Sequence, residues 1–180
     1  MTDAIVMGVD PSLTGFAIAL GRGGELVAEK RIATKPCASD VRSRLKRYAL
    51  IADPLTALCE THRPAIVCIE GYSFASKGAG LHHRSELLGV VFERIAPYVG
   101  QILEIPPSTL KQFTTGKGNA QKPEMVSVLA QRHGRTFFDD DTADAFALLQ
   151  LAFAVAGQVD PGNAQRCGIV AKLRGVELAA

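Results

Sequence analysis

Two short apolar runs that each end in an acid constrain this chain more than any other feature. Ala4–Asp10 reads AIVMGVD, and Ala65–Glu70 reads AIVCIE. A run with apolar side chains at every position suits a strand covered by helices on both faces, a central strand of an α/β sheet. If both are central parallel strands, both acids emerge at the C-terminal edge of the sheet, where α/β folds place their sites. Asp10 and Glu70 are therefore expected at one edge.

The surrounding segments supply the rest of a mixed sheet. Turn residues Pro11, Ser12 and Gly15 lead to a strand at Phe16–Leu20, and Gly23-Gly24 turns it into another at Glu25–Ala33, giving a meander. Ser39 or Asp40 can cap a helix with the stripe Val41, Leu45, Tyr48, Ala52, Leu55 and Cys59; Pro54 inside it predicts a bend or a split. After the glycine-bearing loop Gly71–Gly80, a helix is expected from Leu81 to Tyr98, with Leu88, Val91, Phe92, Ile95 and Val99 on its buried side. A fifth strand follows at Gln101–Ile105. Pro107 and Pro123 suit first helical turns, the second helix reaching His133. The helix Asp140–Ala156 is apolar nearly all round and so deeply buried. The Gly- and Pro-bearing tail beyond Gly157 is assigned no element. A three-strand meander followed by alternating helices and strands makes an α/β fold with a central mixed five-stranded sheet flanked by helices. A ribonuclease-H-like fold is its compact solution. Residues 1–157 are read as one ribonuclease-H-like domain and 158–180 as a C-terminal extension.

Composition narrows the class. A chain of 180 residues is one ordinary domain, and 47% apolar residues are ample for a core. A net charge of +2 is not that of a polybasic coat protein, so any nucleic-acid contact must come from local clusters. Cys37, Cys59, Cys68 and Cys167 are widely separated, which disfavours a disulfide scaffold or a zinc ribbon. The opening MTDAIVMGVDP has too short an apolar run for a signal peptide, and Ala143–Ala156 is too short to span a bilayer. A reduced, soluble, cytoplasmic protein with no membrane association is expected.

The buried helix adds two more acids. Asp141 and Asp144 stand three residues apart near its start and share one face. Each acid alone has a plainer explanation: Asp-Pro-Ser is a common turn, aspartates cap helices, and a strand-end Glu is often simply surface. The joint pattern is harder to dismiss. Four carboxylates brought together repel one another unless something positive joins them, and a pair of Mg²⁺ ions is the natural answer. Two such ions suit in-line displacement at a phosphodiester. Without these four acids the formal charge rises from +2 to +6.

The strand-turn GVDPSLTGFAI, the strand end VCIEGYSF, the segment PSTLKQFTTGKGNAQKPEMV and the helix start DDDTADAFAL together resemble the RuvC-type Holliday-junction resolvases, in family order, over roughly residues 4–156. The resemblance implies a ribonuclease-H-like fold, a homodimer, and Mg²⁺-dependent paired nicking of four-way DNA junctions in a bacterial or phage-infected cell. Two Mg²⁺ per site, with Mn²⁺ as a substitute, are what it implies as cofactors. It matches Asp10, Glu70, Asp141 and Asp144 to an acidic, metal-holding tetrad, and Lys111 and Lys122 to basic residues beside the reaction centre. The loop GYSFASKGAG resembles the family's junction-probing loop only loosely, which leaves room for a phage-type relative that cuts several branched DNAs. Rival readings are another ribonuclease-H-like nuclease acting on RNA–DNA hybrids or flaps, and a non-catalytic junction-binding protein.

Basic and aromatic groups extend the reading to DNA. Lys111, Lys117 and Lys122 alternate with glycines and small residues between two proline-started helices, where backbone and ammonium groups can approach a phosphate. Arg42, Arg44, Lys46 and Arg47 place four positive charges in six residues. They cannot all share one helix face, so part of the run is solvated and part is available to DNA arms. Tyr72 and Phe74, with Lys77 close by, lie just beyond Glu70; an exposed aromatic there could stack on an unpaired base, and a buried one would serve the core.

Overall fold

The computed structural model describes residues 3–71 and 79–175. Five strands form one sheet: β1 (Ile5–Asp10), β2 (Gly15–Arg22), β3 (Glu25–Ala33), β4 (Ile66–Glu70) and β5 (Gln101–Ile105), in the spatial order β3-β2-β1-β4-β5. β1, β2 and β3 are antiparallel neighbours, while β4 runs parallel to β1 and to β5. Gly23 and Gly24 turn β2 into β3 with φ of 60° and 89°, the left-handed pair that a two-residue hairpin turn requires. This is the mixed five-stranded sheet expected from the sequence.

Helices cover both faces. α1 (Val41–His62) and α2 (Ala79–Ile95) lie on one side, where Tyr48, Ile51, Leu55, Leu87, Val91 and Ile95 pack on Met7, Val9, Phe16, Ile18 and Val67. The other side carries α3 (Pro107–Thr115), α4 (Lys122–His133), α5 (Asp140–Ala156) and α6 (Ala164–Gly175), packed on Val6, Ala17, Ala19, Ile66 and Cys68. The strand period of two decides which side each residue serves. Val6 and Gly8 face α5, and so does Asp10; Ile66 and Cys68 face it too, and so does Glu70.

α5 is buried along almost its whole length, from Ala143 to Ala156, because it lies directly over the central strands. Gly8 makes that possible: a β-carbon there would sit 2.2 Å from the Ala145 carbonyl oxygen and 2.2 Å from the Leu149 nitrogen.

Some expectations change. α1 runs through Pro54 as one helix and is not split there, with Pro54 and its neighbour Asp53 toward the outside. Of its expected apolar stripe, Tyr48, Ala52, Leu55 and Cys59 are buried, but Val41 and Leu45 are exposed along an open groove beside Gly89 and Val90 of α2. The segment after Gly157 is not shapeless, since it forms α6. Ile169 and Val170 bury its apolar side, Arg166 donates to the Phe113 and Thr114 carbonyls, and Arg174 donates to the Ala154 and Val155 carbonyls at the end of α5. No described helix is long and apolar enough to cross a membrane.

Candidate active site

Asp10 and Glu70 end adjacent parallel strands, one step beyond the paired positions Val9 and Ile69. Their common parity turns both toward α5, whose first turns carry Asp141 and Asp144. All four acids line one cleft of about 540 Å³, together with Ser12, Thr14, Arg84, Pro107, Lys111, Lys122 and Met125. The starts of α3, α4 and α5 therefore meet at the edge where β1 and β4 end. Asp139, not Asp140, caps α5: its carboxylate accepts from the Thr142 backbone N–H at 2.8 Å. That leaves Asp141 and Asp144 free of capping duty.

The cleft is electrostatically strained. Asp10 is 5% exposed, and burial drives its carboxyl pKa well above the ordinary value, reinforced by the nearby charges of Glu70 and Asp144. Burial likewise pushes Asp144 up to about 6, with Lys122 opposing the rise and Glu70 adding to it. Carboxyls held this far from their ordinary range mark a site where a further positive charge is stabilising.

Three cations already pair with three of the four acids. Arg31 of β3 reaches Asp141 Oδ2 through Nε at 3.0 Å and Nη2 at 2.8 Å, and lies 3.6 Å from Asp139. Arg84 of α2 donates to Glu70 Oε2 at 2.7 Å. Lys122 lies 3.7 Å from both Asp144 and Asp140. Partial burial lowers the Lys122 ammonium pKa, but Asp144, Asp140, Asp10 and Asp141 outweigh this and raise it overall.

The donor chemistry fits a hard divalent cation: four carboxylates, two of them strongly perturbed, opening on a polar cleft. Among the described residues, however, no three His, Cys, Asp or Glu side chains are already gathered closely enough to hold a metal ion.

The other expected residues divide. Lys111, one turn into α3, lines the cleft. Lys117 does not line it and pairs with Glu124 at 2.9 Å. Arg44 makes two 3.0 Å bonds to Glu86, which also accepts from the Tyr48 hydroxyl at 2.7 Å. Arg47 donates to the Leu13 carbonyl at 2.6 Å and to Thr34, tying α1 to the turn that follows Asp10. Only Arg42 and Lys46 of that run are exposed. Tyr72, Phe74 and Lys77 lie outside the described residues.

Sequence reasoning missed Arg31 and Arg84 as site residues. The signal for Arg84 was its place in the first turns of the helix that follows the Glu70 strand, 14 residues on. For Arg31, on an exposed strand, the sequence holds no such signal.

The family model for crossover junction endodeoxyribonuclease RuvC matches residues 6–152. A protein of that name from Carboxydothermus hydrogenoformans is 27% identical over 158 residues, covering 84% of this chain and 97% of that one. Another from Mycobacterium ulcerans is 31% identical over 151 residues, covering 79% of each. Among solved structures, Thermus thermophilus RuvC is similar with a TM-score of 0.68 at 22% identity, covering 86% of this chain and 97% of that one. The same protein in complex with Holliday junction substrate gives 0.69 at 21% identity over the same shares. At such identities the structures speak to the fold alone, which is the same mixed sheet flanked by helices. The family match spans all of the sheet but Ile5 and all but the last turn of α5, so the chain belongs to the crossover junction endodeoxyribonuclease RuvC family and is a nuclease.

Proposed function

We propose that this chain resolves four-way DNA junctions by paired, Mg²⁺-dependent phosphodiester hydrolysis, with Asp10, Glu70, Asp141 and Asp144 holding two ions per site. The family is one of metal-dependent nucleases; the choice of Mg²⁺, the tolerance of Mn²⁺ and the number of ions are our reading. The observation that carries it is the convergence of four acids from β1, β4 and α5 on one cleft that also presents Lys111 and Lys122. Bound there, the ions would activate the attacking water and stabilise the leaving oxygen of an in-line displacement.

The protein's own groups perform the rest. The four carboxylates supply hard oxygen donors from three rigid elements, which suits a geometry that must be held through the reaction. Lys122 and Lys111, at the starts of α4 and α3, offset the charge of the scissile phosphate, with Lys122 kept protonated by the acids around it. Arg42, Lys46 and Lys117 serve the DNA arms as phosphate contacts, together with Tyr72, Phe74 and Lys77 near the crossover. Arg44 and Arg47 act chiefly by holding α1 in place. Residues 1–157 form the nuclease domain, and the extension 158–180 braces it through α6.

A four-way junction with two symmetric cuts calls for two symmetric sites, so the working form is a homodimer. The test is a panel of labelled substrates with Mg²⁺: a four-way junction, a flap, a linear duplex and an RNA–DNA hybrid. Preferential, paired nicking of the four-way junction is expected. Preference for the hybrid or the flap would refute the reading.

A further inference from the structure

The strongest unassigned feature of the site is Arg31, an arginine on the outer strand of the meander. Its guanidinium crosses over β2 to reach α5, and both of its contacts, Nε at 3.0 Å and Nη2 at 2.8 Å, fall on the same atom, Asp141 Oδ2. Among the described residues, no hydrogen bond or ion pair is made by the other oxygen, Oδ1. Its Nε also lies 3.6 Å from Asp139 Oδ2, and Arg31 is not among the residues that line the cleft.

The crossing depends on Gly15. A β-carbon there would lie 1.8 Å from Asp141 Oδ2 and 2.5 Å from Arg31 Nη2. The first residue of β2 is thus bare at the place where the Arg31–Asp141 pair passes over it. Gly15 has no positive φ, so the space, not the backbone, is what requires glycine there. The Gly15 N–H is in turn held by the Ser12 hydroxyl at 3.2 Å, within the turn that follows Asp10.

The geometry points to Arg31 as a positioning residue: it fixes the Asp141 carboxylate by one oxygen and leaves the other to a divalent cation in the cleft. This assignment rests on the metal-holding role proposed above for Asp141. A carboxylate ligand anchored on one oxygen loses less freedom when it coordinates, and such supporting partners are typically worth 10- to 100-fold in metal affinity. A counter-ion that merely occupies the site would behave oppositely, because its removal would vacate a ligand and tighten metal binding.

The experiment is Mn²⁺ binding to the full-length protein, followed by electron paramagnetic resonance of free Mn²⁺ and by calorimetry, without DNA. Arg31→Ala is expected to weaken Mn²⁺ binding about tenfold, and Arg31→Lys, which can still donate to Oδ2, to recover part of that loss. Gly15→Ala keeps Arg31 but displaces the pair, so it should weaken binding similarly. Thermal melting of each variant separates a local effect from loss of the fold, and the lysine variant carries the test if Arg31→Ala is unfolded. Unchanged or tighter binding by folded Arg31→Ala, or by folded Arg31→Lys should that be the one available, overturns the assignment. If the unmodified protein binds no Mn²⁺, the metal-holding reading of the tetrad fails, and this assignment fails with it.

Discussion

Gly8 of β1 and Ala145 of α5 approach so closely that a single methyl on Gly8 would lie 2.2 Å from the Ala145 carbonyl oxygen. This contact sets the spacing between the strand that ends in Asp10 and the helix that begins with Asp141 and Asp144. The obstacle is helix backbone rather than a pliable side chain, so the strain cannot be relieved by a rotamer change. Gly8→Ala is predicted to cost about 3 kcal/mol or more, at or beyond the usual range for overpacking. A urea midpoint unchanged from the parent would show that α5 can move freely over β1.

Lys122 sits between Asp144 and Asp140 at 3.7 Å from each. Lys122→Ala is predicted to lower the single-turnover nicking rate roughly 100-fold, with a smaller effect on junction affinity. Fluorescence-anisotropy titration beside quench-flow nicking separates the two quantities. An affinity loss that accounts for the whole rate defect would place Lys122 in binding only.

The buried acids give the metal-free protein a pH dependence. A carboxyl whose folded pKa is raised contributes stability below its ordinary value and loses it as pH rises through the folded value. For Asp144 that window runs from 3.8 to about 6, and Asp10 shifts in the same direction. His133, whose pKa is lowered chiefly by burial, acts in the opposite sense at the upper end of this window. The parent is therefore best compared with Asp144→Asn in chelator. Between about pH 4 and about pH 7.5 the parent should lose about 3 kcal/mol relative to the variant. Parallel stability curves would contradict the burial argument.

The basic run in α1 splits into two roles with different signatures. Arg42→Ala and Lys46→Ala should leave the melting temperature nearly unchanged and reduce the salt dependence of junction binding by about one phosphate contact each. Arg44→Ala and Arg47→Ala should lower the melting temperature first, because they remove bonds to Glu86, Leu13 and Thr34. Equal thermal effects across the four would refute the division.

The parts of the site that could be read in the sequence are those written in local periodicity. Wholly apolar runs identified β1 and β4 as central strands, and their shared terminal acid followed at once; the i, i+3 spacing placed Asp141 with Asp144. Arg31 was not legible, because its partner is 110 residues away and an exposed edge strand has no pattern that singles out one cation from Lys30 or Lys35. Arg44 and Arg47 looked like free charge because their partners lie on other elements. α6 was hidden for a related reason: only Ile169 and Val170 are buried in it, and arginine bonds to helix-end carbonyls do much of its docking. Val41 and Leu45 kept the helical stripe but lack a covering layer, which periodicity alone does not reveal.

The most direct test of the account is cleavage of an end-labelled four-way junction by the parent protein and by Asp144→Asn, each with Mg²⁺ and with chelator. The account predicts paired nicks in opposing strands only for the parent with Mg²⁺, while Asp144→Asn still binds the junction. Cleavage in chelator, or undiminished cleavage by Asp144→Asn, would contradict it.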